Sequence, residues 1–181
     1  MRLRPVHQAD YAWLYSIECD PTIGVWWRWG GSTPSPEQFA QALWQNVLLQ
    51  LVVTSMDDSE VVGVVNAHNA DFVSGFAHLG LLATPEYREY GVLFDGLALI
   101  IDFLFSNWPL RKLYAEVAEY SLSSFGNSLS KFALTEAVYR EKIYRMGRYW
   151  DQHVLVLDRD HWVDISTDLM PFVLGTSGEH R

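Results

Sequence analysis

The sequence has a single cysteine and no long apolar run. Cys19 cannot form an internal disulfide, and its neighbours Glu18 and Asp20 raise the pKa of its thiol rather than activate it. We therefore expect a structural or surface thiol in a reducing compartment. The longest apolar stretch, residues 96–105, is interrupted by Asp102 and is too short to span a bilayer.

Basic residues are scarce: 13 Lys and Arg face 22 Asp and Glu, for a formal net charge of −9. Binding to a phosphate backbone needs clustered Lys and Arg, so this balance argues against nucleic acid. An acidic surface would attract an amine or polyamine, although the same charge also favours solubility. The first residues, Met1 to Pro5, lack the apolar region of a signal peptide. We expect a cytoplasmic protein that binds neither nucleic acid nor membrane.

Two familiar kinds of catalytic site are missing. The six histidines are scattered, and no closely spaced histidine pair or cysteine–histidine pair predicts a metal site. The serines at 121, 123 and 124 lack the Gly-x-Ser-x-Gly pattern of a nucleophile elbow, which argues against a hydrolase. We therefore predict an activity without a metal cofactor.

Apolar and aromatic residues are plentiful, at 49% and 14% of 181 residues with eight Trp, which is enough for one domain with a substantial core. Hydrophobic periodicity predicts strand, two helices, three strands, helix, strand, helix and two strands. This order indicates an α+β domain with a mixed, mostly antiparallel sheet and about four helices. The strand at 112–118 follows a helical crossover, so we expect it to lie parallel to an earlier strand.

Local signals place the individual elements. Ser35, Pro36 and Gln38 resemble a helix start, with a serine cap, proline at the first position and a capping box. Strands are predicted at 2–5, 48–55, 61–67, 76–83, 112–118, 132–140 and 144–157, and helices at 10–18, 36–46, 93–104 and 122–131. We assign residues 1–162 to the domain and 163–181 to a partly mobile tail, in which 169–174 could dock.

The most informative segment is the junction between the strand ending at Ala83 and the helix that follows. A helix start leaves backbone N–H groups without partners inside the helix, and the macrodipole is positive there. A pyrophosphate is a natural ligand for these groups, and Gly91 would let the backbone approach it closely. The alternative is an ordinary connection between a strand and a helix.

The order of several segments makes the prediction of a pyrophosphate site at this junction more specific. Leu79–Leu82, Pro85–Arg88 and Gly91, followed by an amphipathic helix, resemble the acetyl-CoA motif of the GNAT N-acetyltransferase superfamily. The loop of that motif reads Arg/Gln-x-x-Gly-x-Gly/Ala, and here its last position is Leu93. Residues 110–117 resemble the next strand of the family. Residues 2–5 and 150–155 resemble the first and the last strand of the subgroup that contains ribosomal-protein and spermidine acetyltransferases.

This resemblance, over residues 1–162, implies acetyl-CoA as cosubstrate and direct attack by an amine in a ternary complex. Two parallel strands would splay apart to admit the pantetheine, which would pair with Leu82 and Ala83. The pyrophosphate would bind the backbone amides of the loop: Arg88, Glu89, Tyr90, Gly91, Val92 and Leu93. The amine acceptor would be a small molecule or a protein N-terminus. A homodimer is left as an alternative, since no particular residue argues for or against it.

The sequence departs from the family pattern at several positions. Ser121 and Ser128 stand where relatives have Asn and Tyr, and Lys131 replaces a glycine. Ser121 would hydrogen-bond the pantetheine or protonate the leaving thiolate. An alternative is a catalytically diverged GNAT-fold protein that binds CoA weakly or serves as an interaction module.

Candidate acceptor-side residues lie in three places. His78 would be the general base on the strand that leads to the splay, unless it is an ordinary strand histidine. His68 and Asn69 would recognise a polar substrate, or they make a turn. Trp26, Trp27 and Trp29 would line an acceptor pocket or cage a cation; the alternative is a hydrophobic plug under a long loop.

Overall fold

The computed structural model describes residues 1–24, 27–58, 60–87, 92–122 and 132–175, with only the backbone of residues 92 and 93. Seven strands form a sheet in the order β1-β2-β3-β4-β5-β7-β6. Their bounds are β1 Arg2–Pro5, β2 Val47–Thr54, β3 Val61–Asp71, β4 Phe76–Ala83, β5 Lys112–Ala118, β6 Leu134–Arg145 and β7 Arg148–Asp158.

Five α-helices occur in the described part of the chain: α1 Tyr11–Glu18, α2 Pro36–Ala42, α3 Val92–Asn107, α4 Glu119–Leu122 and α5 Arg159–Val173. Short 3-10 turns at Gln8–Asp10 and Pro85–Tyr87 precede α1 and α3. Among these residues, no helix combines the length and the apolar character that a bilayer crossing requires.

The chain packs as two compact units. The first unit comprises Met1–Asn69 and Gly80–Leu97. Strands β1, β2 and β3 are antiparallel neighbours there, with Leu3 opposite Val53 and Val52 opposite Val64. The core beside them is a cluster of buried apolar side chains: Leu14, Ile17, Ile23, Phe39, Leu43, Val64 and Leu82. Helix α1, helix α2 and the loop between them therefore pack on a common apolar centre.

The start of α2 shows how the local sequence sets an element. The Ser35 hydroxyl accepts a hydrogen bond from the Gln38 backbone N–H at 3.3 Å, and the Gln38 side chain accepts one from the Ser35 N–H at 2.9 Å. Pro36 takes the first helical position, where its missing N–H costs nothing. The predicted capping box is confirmed.

The second unit comprises Ala70–Leu79 and Ala98–Arg181. Strands β4 and β5 are parallel there, with Phe76 opposite Lys112 and His78 opposite Tyr114. The prediction that this later strand would pair parallel to an earlier one is confirmed. Strand β5 then pairs antiparallel with β7, and β7 with β6, so a hairpin closes the sheet.

Several predicted boundaries differ from the structure. Helix α2 ends at Ala42 rather than near residue 46, and β3 continues to Asp71 through residues that we expected to form a turn. The predicted break between 140 and 144 is a bulge inside β6, where Glu141 has a φ of 51°. Of the helix predicted at 122–131, residues 123–131 lie outside the described part of the chain.

Helix α5 is the main addition to the predicted fold, since we expected a partly mobile tail from residue 163. The Trp162 side chain is buried, and its indole N–H donates to the Asp102 carboxylate at 3.2 Å. The predicted domain boundary at residue 162 falls within this helix. The division into a domain and a tail stays a prediction.

Candidate active site

The predicted donor segment begins at the end of β4. Leu82 is buried in the core of the first unit, and Ala83 is half-buried. The N–H and the hydroxyl of Thr84 both donate to the Val62 carbonyl, at 3.0 and 3.2 Å, which fixes the chain where it leaves the strand. The predicted helix does follow and begins at Val92. Residues 88–91 and the side chains of Val92 and Leu93 lie outside the description.

The tryptophan-rich loop between α1 and α2 lies on the core of the same unit. Trp27 and Trp29 are half-buried and pack against the apolar cluster, with the Trp29 and Phe39 ring centroids 6.2 Å apart. Trp26 lies outside the described residues. This packing agrees with the hydrophobic-plug alternative, and a role of Trp27 and Trp29 in substrate binding stays a prediction.

A buried ion pair holds this loop to helix α1. Glu18, the last residue of α1, is fully buried, and Arg28 Nε lies 2.9 Å from its carboxylate. Burial raises the pKa of Glu18 to about 7, opposed by the Arg28 charge and by the indole N–H groups of Trp27 and Trp29. Those two N–H groups favour the carboxylate without closing hydrogen bonds of ordinary geometry. Burial also lowers the pKa of Arg28.

The same guanidinium starts a line of polar side chains that crosses two strands. Arg28 donates to the Leu43 carbonyl at 2.8 Å and to Gln50 Oε1 on β2 at 2.7 Å. Asn66 Nδ2 on β3 donates to the same Gln50 oxygen at 3.4 Å, and Asn66 Oδ1 lies 3.2 Å from His68 Nδ1. Gln50 and Asn66 are buried, so this line runs through the interior and reaches His68 at its far end.

Gly80 lies where this line meets the tryptophan loop. A Cβ at this position would be 2.4 Å from Asn66 Oδ1 and 2.7 Å from Trp27 Cη2. No side chain fits there without displacing both neighbours, since real Cβ atoms essentially never approach that closely. Packing therefore favours glycine at position 80. Asn69, the other polar residue predicted at this end of β3, has a φ of 48°, and its N–H donates to the Asn46 carbonyl at 2.8 Å.

In the second unit, His78 belongs to a cluster of rings. Its imidazole lies 5.8 Å from the Phe76 ring and 5.7 Å from the Tyr114 ring, centroid to centroid. The Tyr114 hydroxyl and the Lys112 ammonium both donate to the Glu136 carboxylate, at 3.3 and 2.9 Å. The parallel register of β4 and β5 places His78 next to Tyr114 and Phe76 next to Lys112.

Ser121 lies in the short helix α4, directly after Tyr120. Burial raises the pKa of Tyr120 to about 12, opposed by the Arg145 charge and by the nearby Ser121 side chain. The Tyr120 ring meets the Trp150 ring edge-on, with centroids 5.0 Å apart. Tyr120 is therefore a protonated phenol at neutral pH, beside the serine that the sequence singled out.

The sequence reasoning missed the polar line and Tyr120. A signal for the polar line does exist, because Gln50 and Asn66 are single polar residues inside runs of Val and Leu. A polar side chain at the centre of a buried strand needs partners, which would have predicted a hydrogen-bonded pair there. Nothing local points to Glu18 and Arg28, because their contact depends on how the loop folds back on α1.

Comparison with known proteins identifies the family and the fold of this chain. The family model described as "Acetyltransferase (GNAT) domain" matches residues 1–125, more than half of the chain. The chain belongs to the GNAT acetyltransferase family. No curated protein matches the chain at the level of sequence.

Solved structures extend the likeness to most of the chain. One is the spermidine N-acetyltransferase from Vibrio cholerae in complex with CoA and spermine, with a TM-score of 0.78 and 17% identity over 90% of this chain and 97% of that one. Mutant forms of the spermidine/spermine N-acetyltransferase from the same organism give a TM-score of 0.74 and 16% identity, over 91% and 98% of the two chains. At these identities the likeness establishes the fold.

The family assignment bears out the central prediction from the sequence. The protein is an acyl-CoA-dependent N-acetyltransferase that uses acetyl-CoA as cosubstrate and an amine as acceptor. The family assignment does not favour the alternative of a diverged interaction module. Within the described ranges, no group of three or more His, Cys, Asp or Glu side chains could hold a metal ion.

Proposed function

We propose that the acceptor is a small polycationic amine of the polyamine class. The observation that carries this proposal is the likeness of nearly the whole chain to a spermidine N-acetyltransferase whose structure contains CoA and spermine. The formal net charge of −9 supports it, because an acidic protein concentrates a polycation near its surface. The same charge supports a cytoplasmic enzyme that acts on a diffusible substrate rather than on nucleic acid or membrane.

On the donor side, the backbone of Leu82 and Ala83 pairs with the pantetheine arm. The amides of Arg88, Glu89, Tyr90, Gly91, Val92 and Leu93 bind the pyrophosphate. Helix α3 supports this assignment, because 16 residues of aligned peptide dipoles begin at Val92 and favour negative charge at that end.

On the acceptor side, His78 and Ser121 are the proposed catalytic residues. His78 acts as the base, and Ser121 acts as a proton donor to the leaving thiolate. The Ser121 assignment gains support from Tyr120, whose phenol is protonated at neutral pH and lies next to the serine in α4. Trp26, Trp27, Trp29, His68 and Asn69 are the proposed acceptor-binding residues. The Trp27 ring lies close to Gly80, which supports including the tryptophan-rich loop among the acceptor-binding residues.

An acceptor panel tests the proposal. The purified protein is incubated with acetyl-CoA and either spermidine, spermine, an aminoglycoside or a peptide with a free N-terminus, and release of CoA thiol is followed. We expect kcat/KM to be highest for the polyamines, and their advantage to shrink with added salt, since screening weakens attraction to an acidic protein. A preference for the peptide or the aminoglycoside would overturn the polyamine assignment and leave the acetyltransferase activity intact.

A further inference from the structure

The segment between β4 and α3 is tied to strand β3 before it reaches the proposed pyrophosphate loop, residues 88–93. Thr84 is buried, and its N–H and hydroxyl both donate to the Val62 carbonyl, at 3.0 and 3.2 Å. The Tyr87 N–H donates in turn to the Thr84 carbonyl at 3.1 Å, which closes a 3-10 turn. The backbone of Tyr87 is therefore held to β3 through Thr84.

The side chain of Tyr87 makes a second attachment at the start of the same strand. Its hydroxyl donates to the carboxylate of Glu60, the residue directly before β3. Glu60 is itself fixed by Ser55, because its N–H donates to the Ser55 hydroxyl at 3.1 Å and its carbonyl accepts from the Ser55 N–H at 3.0 Å. The hydrogen bond from Tyr87 to Glu60 raises the pKa of the phenol, which therefore keeps its proton and donates at neutral pH.

Helix α3, which follows the loop, lies against neighbouring strands of the same sheet. Gly96 is buried in the second turn of this helix, and a Cβ there would be 3.1 Å from a Val53 methyl carbon on β2 and 3.5 Å from a Leu3 methyl carbon on β1. All of these residues belong to the first unit. The chain is therefore attached to strands β1, β2 and β3 both before and after the pyrophosphate loop.

We propose that Glu60 is a positioning residue for acetyl-CoA: through the Tyr87 hydroxyl, it holds the start of the pyrophosphate loop in the orientation that the donor requires. The inference rests on the proposed function, which assigns the pyrophosphate to the backbone amides of residues 88–93. Binding to a loop that is already ordered costs less conformational entropy than binding to one that the ligand must order. Glu60 thus acts on donor binding through Tyr87 and takes no part in the acyl transfer.

Charge and position predict opposite effects for Glu60. CoA is a polyanion, so a carboxylate near its phosphates repels it, and removal of the charge alone would strengthen binding. Loss of the hydrogen bond instead frees the start of the loop and weakens binding. Glu60→Gln separates the two effects, because its side-chain oxygen still accepts from the Tyr87 hydroxyl without a negative charge. Tyr87→Phe removes the hydroxyl and leaves the Glu60 charge in place.

The test measures the dissociation constant of acetyl-CoA by calorimetry on the full chain, and the steady-state constants with spermidine. Tyr87→Phe and Glu60→Leu should each weaken acetyl-CoA binding about tenfold, as expected for the loss of a charge-assisted hydrogen bond. The KM for acetyl-CoA should rise to the same extent, with kcat and the KM for spermidine unchanged. The double variant should bind no more weakly than either single variant, because both substitutions break the same contact.

Two further variants separate the hydrogen bond from the charge. Glu60→Gln should bind acetyl-CoA within about threefold of the wild type, since it keeps an acceptor for the hydroxyl. Glu86→Gln is the matched control, because Glu86 lies exposed in the same 3-10 turn as Tyr87 and its substitution removes one negative charge without removing the hydrogen bond. This control should bind acetyl-CoA at least as tightly as the wild type. Should Glu60→Leu fail to fold, which urea unfolding would show, Tyr87→Phe decides.

Equal or tighter binding in Tyr87→Phe would overturn the role of Glu60, and tighter binding in Glu60→Leu would show that its carboxylate acts only as a charge. Additive losses in the double variant would also overturn the role, because the two residues would then act separately. The proposed function fails in a different way. A wild type that does not bind acetyl-CoA overturns the donor assignment, whereas a wild type that binds it no better than the variants overturns only the positioning role.

Discussion

The Arg28 guanidinium lies 2.9 Å from the Glu18 carboxylate, and burial disfavours the charged form of both groups. The carboxylate is fully buried, and its pKa is raised to about 7 from a usual 4.5, while the pKa of the guanidinium is lowered. Removing both charges from water therefore costs more than their attraction returns. The pair orients the tryptophan loop. Its unfavourable desolvation should appear in the pH dependence of the free energy of unfolding.

The first prediction concerns the pH dependence of stability. Between pH 4.5 and 7 the folded protein keeps a proton on Glu18 that the unfolded chain has released, so this group lowers the free energy of unfolding as the pH rises through that window. Glu18→Gln removes the titration. Urea unfolding at pH 5, 6, 7 and 8 should show the wild type losing stability relative to this variant as the pH rises.

The matched control is Glu86→Gln, at an exposed carboxyl in the turn before α3. Its unfolding free energy should track that of the wild type at every pH, since substitution of an exposed side chain changes stability little. A constant difference between Glu18→Gln and the wild type over the whole range would show that Glu18 does not titrate in the predicted window.

The second prediction concerns Gly80→Ala. The added Cβ would lie 2.4 Å from Asn66 Oδ1 and 2.7 Å from the Trp27 ring, so both side chains must move. Overpacking of this kind costs about 1–3 kcal/mol, which the urea midpoint measures. If the clash with Asn66 is part of the cause, Gly80→Ala should cost less in an Asn66→Ala background, and the double-mutant cycle should give a coupling of at least about 0.5 kcal/mol. Strict additivity would contradict the described contact.

The third prediction concerns Arg159, at the start of α5. Its guanidinium donates to the carbonyls of Leu110 and Trp108, each at 2.6 Å, and to that of Phe105. These carbonyls lie at and beyond the end of α3, where backbone acceptors lack partners within the helix. Arg159→Met should therefore lower the free energy of unfolding by about 3 kcal/mol.

Arg140→Met is the control for that variant. Arg140 is paired with Asp151, but its side chain is 80% exposed, so its loss should change stability by less than about 1 kcal/mol. Equal effects of the two substitutions would mean that the three carbonyls of the α3 end do not depend on Arg159.

Much of the fold could be predicted because its signals are local. The bounds of β4 and β5 were predicted to the residue, and Ser35 was predicted as a cap, since alternation and capping chemistry are written in a few adjacent residues. Helix α5 was missed because its Pro171 obscures the pattern and because Trp162 is anchored by Asp102, 60 residues earlier.

The candidate site was less predictable for the same reason. His68 and Gly80 stand out in the sequence only as a strand histidine and a strand glycine, and their meaning comes from Asn66, which lies between them in space. The contact of Arg28 with Gln50 joins a loop to a strand 22 residues away, and no spacing rule encodes it. Side-chain networks of this kind appear only when the strands are set in register.

Titration of the purified protein with acetyl-CoA by calorimetry, with Gly91→Trp as a control that blocks the loop before α3, tests the central claim most directly. The account predicts binding with a dissociation constant of micromolar order, about −8 kcal/mol, and its loss in the control. No heat of binding with acetyl-CoA or free CoA at millimolar concentration would contradict the assignment of this chain as an acetyl-CoA-dependent N-acetyltransferase.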